Sequence, residues 1–285
     1  MLYRTTLNNK VINNFNNIKL WLLIPPFLLL IIMILYFIIN NDGSSFIDHY
    51  VYVQKDLFFY LNNKLSQFPN LQFNLTQLGD AMLFYPLLAI FIIYAPKLWE
   101  ALLTSSFFSL IVSALLKKIF AVPRPAAMFD HDSFTIIGKT LSGKTSLPSG
   151  HSICAFIVIT TLLFAFMPKK IGYKIIWSFF IISAGLIITF SRVGVGAHYP
   201  LDVIIGSTIG FIISIIGITI SNRFKLFNWI NDKNKLPIFM LALAILGGVI
   251  IKKIIDINLP IFYISLTSLV ITLYLMIRFY VKKNK

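Results

Sequence analysis

The residues of this 285-residue chain with types and spacings suited to chemistry fall into three short polar stretches, each at the end of an apolar run. Residues 117–125 read KKIFAVPRP, residues 147–151 read LPSGH, and residues 191–202 read SRVGVGAHYPLD. A cation beside an apolar run ordinarily snorkels to the bilayer rim as an anchor. Lys117, Arg124 and Arg192 fit a second task, because they accompany two histidines and an aspartate. A phosphate dianion calls for several fixed cations, and arginine offers forked donors matched to its oxygens. Lys117 and Arg124 are seven residues apart, about two helical turns, so both can face one way. Pro123 and Pro125 end regular helix there and stiffen the turn that carries Arg124.

Ser149 and Gly150 precede an apolar run. Serine is a favoured N-cap, and the free N–H groups of a helix start, with its dipole, attract anions. Gly150 lets a phosphate oxygen approach the backbone. His198 and Asp202 are four apart. With Pro200 opening a helix, Asp202 falls in its first turn and can accept a hydrogen bond from His198, fixing one tautomer and raising the ring's basicity. His151 is then placed to act as a general acid.

These stretches need a scaffold that brings them together. The chain is 58% hydrophobic and 12% charged, against about 45–50% and 25% in soluble domains. Its apolar residues come in long runs, which predicts an all-α, polytopic transmembrane bundle. Residues 20–39 carry no charge and at roughly 20 residues can cross a bilayer. This run exceeds a signal-peptide core, so a retained span is expected. Further spans are expected at about 81–95, 101–116, 151–167, 175–190, 203–220, 237–251 and 260–277. Pro96, Lys97 and Glu100 are expected in a turn, and residues 46–65 in an amphipathic surface helix. The expected division is a cytoplasmic tail (1–19), a six-helix core (20–220), a cytoplasmic connector (221–236), and a hairpin with a basic tail (237–285).

The net charge of +15 does not point to nucleic acid, because the cations flank apolar runs and form no continuous stripe. They orient the chain instead. With the N-terminus inside, 15 Lys and Arg fall on the inner side, Arg4, Lys225 and Lys285 among them, against 10 outside, as the positive-inside rule requires. All three polar stretches then lie on the non-cytoplasmic side. The single cysteine, Cys154, excludes an internal disulfide and any multi-cysteine metal site.

The patterns KxxxxxxRP (Lys117, Arg124, Pro125), PSGH (Pro148 to His151) and SRxxxxxHxxxD (Ser191, Arg192, His198, Asp202) resemble, in order and spacing, the three-part signature of the type 2 phosphatidic acid phosphatase superfamily, in its bacterial membrane-bound branch. No signature position departs from the pattern, and the resemblance covers about residues 20–220. It implies that His198 attacks phosphorus to form a phosphohistidine, oriented by Asp202, and that His151 protonates the leaving oxygen. Lys117, Arg124, Ser149, Gly150 and Arg192 would hold the phosphoryl oxygens. No cofactor and no metal are implied. The partner is a lipid phosphate within the membrane; no nucleic acid and no required protein partner are expected. The expected location is the cytoplasmic membrane, with the site on its periplasmic or extracytoplasmic side.

Other readings separate on residues. A phosphotransferase would keep the chemistry and pass the phosphate to another lipid. A serine hydrolase would use Ser149, His198 and Asp202, but a serine nucleophile does not require three converging cations. A transporter would place its charges at mid-membrane rather than at span ends. Asp80, before the second span, is a candidate for the substrate entrance. Asp130, His131 and Asp132 read as a solvated loop and His49 as structural.

Overall fold

The computed structural model describes residues 6–40, 43–224, 226–227 and 233–283; Arg4, Lys225 and Lys285 of the charge inventory lie outside them. Among the described residues there are helices and no strands. In chain order the helices are α1 (Thr6–Asn16), α2 (Ile24–Ile39), α3 (Phe46–Ser66), α4 (Pro69–Gln77), α5 (Ala81–Leu87), α6 (Phe91–Tyr94) and α7 (Pro96–Phe120). There follow α8 (Pro125–Met128), α9 (Gly150–Ala165), α10 (Ile171–Gly194), α11 (Pro200–Phe224), α12 (Leu236–Ile257) and α13 (Pro260–Lys283). Among the described residues six segments are long and apolar enough to cross a membrane: Leu20–Ile39, Pro96–Met128, Ile171–Gly194, Pro200–Phe224, Leu236–Ile257 and Pro260–Val281; α9 is a shorter apolar helix. The chain is a multi-pass membrane protein.

The bundle is organised around α11, which packs against α9, α7, α10, α2, α1 and α3. Small residues allow this crowding. A Cβ on Gly206 would stand 2.7 Å from the Ser149 carbonyl oxygen, and one on Gly210 2.5 Å from that of Ile153. Close backbone approach through small residues is how membrane helices gain contact without a hydrophobic driving force between them. The approach at Gly206 also seats the start of α9 against α11, where Ser149 N donates to Asp202 O at 3.1 Å.

Three local structures differ from the sequence expectation. The N-terminal segment forms α1, with Val11 and Phe15 buried. Its Asn14 side chain donates to the carbonyls of Ala165 (3.0 Å) and Met167 (3.1 Å), supplying partners at the end of α9. Pro96, Lys97 and Glu100 are the first turn of α7 rather than a connecting turn, because proline suits the first helical position. Lys97 Nζ bonds Glu100 Oε2 and Ser221 O, both at 2.8 Å, so this charge is buried and paired.

The third difference is at 81–95, where two short helices replace one span. Pro86 withholds an N–H inside α5, and past Leu87 the chain continues in short turns such as Ala89 N to Pro86 O at 3.2 Å. Freed carbonyls at membrane depth must find other donors. Trp99 Nε1 supplies Leu88 O at 3.0 Å, Ser265 Oγ supplies Leu83 O at 3.1 Å, and Ser268 Oγ supplies Leu87 O at 2.8 Å. Two of the three donors come from α13, so the C-terminal hairpin covers the broken segment.

Helix α3 forms at 46–66 with an amphipathic build. Tyr50, Val51, Gln54, Phe58 and Asn62 are buried, while Tyr52, Leu57 and Tyr60 are exposed. Its inner face meets α10 and α11. Asn62 Nδ2 donates to Val193 O at 3.0 Å and Gln54 Oε1 accepts from Leu201 N at 3.0 Å, which ties α3 to both ends of the third polar stretch.

Candidate active site

The end of α7, the starts of α9 and α11, and the end of α10 meet at one end of the bundle. Each side chain is set there by a local feature. Ala121, at φ 45°, ends α7 just past Lys117. Arg124 caps α8 in extended backbone, and its N–H donates to Gly143 O at 3.0 Å. Ser149 N-caps α9 and accepts from Ser152 Oγ at 2.9 Å. Gly196, at φ 74°, turns the chain between Arg192 and His198. Ala197 N returns to Arg192 O at 3.0 Å.

His198 is buried, and its two ring nitrogens face different partners. Nδ1 lies 3.3 Å from Asp202 Oδ2, and Nε2 lies 3.2 Å from Arg124 Nη1. A guanidinium only donates, so Nε2 must present its lone pair and Nδ1 carries the proton toward Asp202. Burial, and then the charges of Arg124, Arg192 and Lys117, hold the imidazole well below its ordinary pKa. The ring is therefore neutral, and its lone pair is on the side of the cations, accepting from Arg124.

Asp202 is fully buried, with four donors around its carboxylate. Tyr50 OH donates to Oδ1 at 2.7 Å, while Ser146 Oγ (2.5 Å), Tyr199 N (2.9 Å) and His198 Nδ1 (3.3 Å) surround Oδ2. Three of these donors surround Oδ2 and one reaches Oδ1, so the carboxylate is held chiefly through Oδ2. Ser146 Oγ also lies 3.4 Å from His198 Nδ1. Among the described residues no group of three or more His, Cys, Asp or Glu could hold a metal.

The cations converge on the same end. Arg124 Nη1 also donates to Ala197 O at 3.1 Å. Arg192 Nη1 donates to Thr76 Oγ1 at 2.6 Å. The Nε of Arg192 is buried without a hydrogen-bond partner among the described residues. Lys117 Nζ stands 3.2 Å from where a Gly150 Cβ would be, and it lies within electrostatic range of Arg124, Arg192 and Asp202. His151 is in range of Arg192, Asp80, His198 and Arg124. Thus Lys117, Arg124, Ser149, Gly150, His151, Arg192, His198 and Asp202 form one cluster. Asp80 adjoins it beside His151, and its side chain is taken up by Lys253.

Sequence reasoning missed Tyr50, Ser146, Thr76 and Lys253. Tyr50 lies on the inner face of an amphipathic helix, where it reads as packing. Ser146 precedes the second polar stretch by one residue and had no distinguishing signal. His131 Nε2 donates to Ala126 O at 2.9 Å and Asp130 Oδ1 accepts from Asp132 N, so both serve the loop's own backbone. His49 packs edge-on against Phe37.

Beside the cluster is a cavity of about 540 Å³, lined by apolar side chains of α2, α3, α7 and α11, including Met33, Ile34, Phe37, Phe120 and Ile205. Tyr50 and Leu147 line it too. Tyr50 is therefore shared between this cavity and the Asp202 carboxylate.

A helical bundle crossing the membrane, with a buried His–Asp pair and converging cations at one end, has the build of a membrane-embedded phosphatase. Residues 98–226 match the family model described as PAP2 superfamily. It is 29% identical over 170 residues to an undecaprenyl-diphosphatase of Sulfolobus acidocaldarius, a match that takes in 59% of this chain and 78% of the relative. It is 33% identical over 123 residues to a lipid A 1-phosphatase of Rhizobium etli, covering 41% of this chain and about half (48%) of that relative's length. The crystal structure of Aquifex aeolicus LpxE matches at a TM-score of 0.48 and 27% identity, over 59% of this chain and 95% of that one.

Proposed function

We propose that this protein hydrolyses a phosphate ester or diphosphate on a membrane lipid, through a phosphohistidine on His198, at the non-cytoplasmic face of the cytoplasmic membrane. The observation that carries the lipid reading is Tyr50, which bonds Asp202 and also lines the apolar cavity. A polar head site and an apolar tail site thus share a wall. The cavity volume is within the range of about 300–1,000 Å³ typical of ligand sites. The relatives reported above are named as an undecaprenyl-diphosphatase and a lipid A 1-phosphatase.

The chemistry proposed follows from the His198 tautomer. Nε2 attacks phosphorus, an N–P bond forms, and the P–O bond to the leaving group breaks. His151, protonated once the phosphate dianion is bound beside it, gives its proton to the departing oxygen. Neutral His151 then takes a proton from water as the water oxygen attacks phosphorus and the N–P bond breaks. Inorganic phosphate leaves, with both histidines restored. Asp202 holds Nδ1–H throughout and stabilises the charge that develops on the ring. Arg124, Arg192, Lys117 and the start of α9 meet the charge on the transferring group; fixed donors of this kind contribute about 10²–10³-fold each in comparable sites.

The serine-hydrolase reading is disfavoured because Ser149 Oγ is engaged by Ser152 and His198 Nε2 faces a guanidinium. The sidedness rests on the distribution of Lys and Arg. The test of function is phosphate release from purified lipid phosphates in detergent. His198→Ala and His151→Ala should each abolish release from the lipid that the wild type cleaves. Retained activity in both variants would refute the proposal. For sidedness, Gly143→Cys in a Cys154→Ser background should be labelled by an impermeant maleimide from outside intact cells. Labelling only after lysis would reverse the orientation.

A further inference from the structure

The C-terminal hairpin of α12 and α13 lies beyond the residues 98–226 that match the family, yet one of its side chains reaches the active site's border. Lys253 Nζ forms an ion pair with Asp80. The same ammonium sits 5.6 Å from the ring centroid of Phe262, itself fully buried. Asp80 N-caps α5, its Oδ1 accepting from Met82 N at 2.9 Å. Burial works against the carboxylate, but the hydrogen bond and charge of Lys253 outweigh it, so the Asp80 pKa is lowered and the side chain stays ionised. The preceding residue, Gly79, lies directly on His151. A Cβ there would be 2.9 Å from His151 Cβ and 3.3 Å from Cδ2. The Gly79–Asp80 turn is thus a wall for the imidazole, and Lys253 is the side chain that pins it.

The charged and titratable groups that bear on His151 are Arg192, Asp80, His198 and Arg124. Asp80 is the one anion among these four. A proton donor surrounded by guanidinium groups needs a counter-charge to keep its proton until the leaving oxygen takes it.

We propose that Lys253 is a positioning residue for His151: through Asp80 it holds the Gly79–Asp80 turn against the imidazole and keeps a carboxylate beside it, making the C-terminal hairpin a functional part of the active site. The inference rests on the phosphatase reading and extends it, because both Asp80 and Lys253 lie outside the three signature stretches.

The test separates positioning of the proton donor from simple stabilisation of the bundle. An alkyl phosphate leaving group needs a proton, whereas a p-nitrophenolate departs without one. Lys253→Met should lower kcat on a lipid alkyl phosphate at least ~10-fold, a part of the ~10²–10⁴ that a general acid supplies. KM should stay within about twofold, and the rate of the initial p-nitrophenolate burst from p-nitrophenyl phosphate, which reports the first step alone, within about threefold, since that step needs no proton donor. Lys253→Arg should restore the lipid rate. Equal losses on both substrates, or no loss on either, would overturn the proposal. If Lys253→Met does not fold, Asp80→Asn keeps an N-cap and removes the charge, and the same comparison decides. A wild-type enzyme that releases phosphate from neither substrate would overturn the phosphatase reading, and this proposal with it.

Discussion

The Arg124 guanidinium stands 3.2 Å from Nε2 of His198, in direct hydrogen-bond contact with the nitrogen that carries the lone pair. The contact has two consequences. It forces the lone pair of His198 onto the nitrogen that faces the cations, and it fixes a donor beside the position of nucleophilic attack. Arg124→Ala should lower kcat by about 10²–10³-fold, the effect of removing one preorganised donor. Arg124→Lys should recover only part of this, because an ammonium lacks the forked geometry. Steady-state kinetics on a lipid phosphate checks both; equal activity of Arg124→Lys and wild type would exclude the forked contact.

Asp202 depends on partners that the three polar stretches do not include. Ser146→Ala and Tyr50→Phe each remove one hydrogen bond from a buried carboxylate. Each should destabilise the protein by about 1–3 kcal/mol, the cost of an unpaired buried group. Thermal unfolding in detergent gives the cost, and Ser146→Ala should also lower kcat because it frees the His198 ring. A Ser146→Ala variant with unchanged Tm and kcat would contradict the account of Oδ2.

The pH dependence follows from the depressed pKa of His198. The unfolded chain takes up this proton near about 6.5, the folded protein only at lower pH. Below about 6.5 the unfolded state therefore binds more protons, so stability rises with pH in that range. The contribution is fully present above pH ~6.5 and is lost on acidification. His198→Gln should flatten the fall in Tm between pH 7 and 5. Identical slopes for the two proteins would show that the buried imidazole is not held neutral.

The apolar cavity makes a prediction about chain length. Met33→Trp fills its wall on α2 without touching the polar cluster. KM should rise at least ~10-fold for a long-chain lipid phosphate while p-nitrophenyl phosphate turnover is unchanged, a ratio of about 1.4 kcal/mol in tail binding. Equal effects on both substrates would place the tail elsewhere.

The residues of the site were legible because they sit at the ends of apolar runs, where a charge or histidine stands out against a uniform background. The spans were legible for the same reason, and most helix bounds fall within a turn or so of expectation. What the sequence hid was satisfied locally or at long range. Pro86 breaks a segment that composition reads as one span, and Ser265 and Ser268, some 180 residues later, supply donors to two of its carbonyls. Tyr50 reads as one more aromatic on an amphipathic face until its hydroxyl is seen to meet Asp202. Lys97 reads as a loop anchor until its partners, Glu100 and Ser221 O, are in place. Lys253 was one cation among many beside a turn, and only folding brings it to Asp80.

The central claim is that His198 accepts the phosphoryl group, and it is tested most directly by trapping the intermediate. His151→Ala removes the proton donor and the activator of water, so an aryl phosphate, which needs neither for the first step, should load the enzyme and stall. Rapid quench with ³²P-labelled p-nitrophenyl phosphate, followed by peptide mass spectrometry, should find acid-labile phosphate on the peptide carrying His198, and none in His151→Ala/His198→Gln. Label on Ser149 instead, or equal labelling with and without His198, would contradict the account.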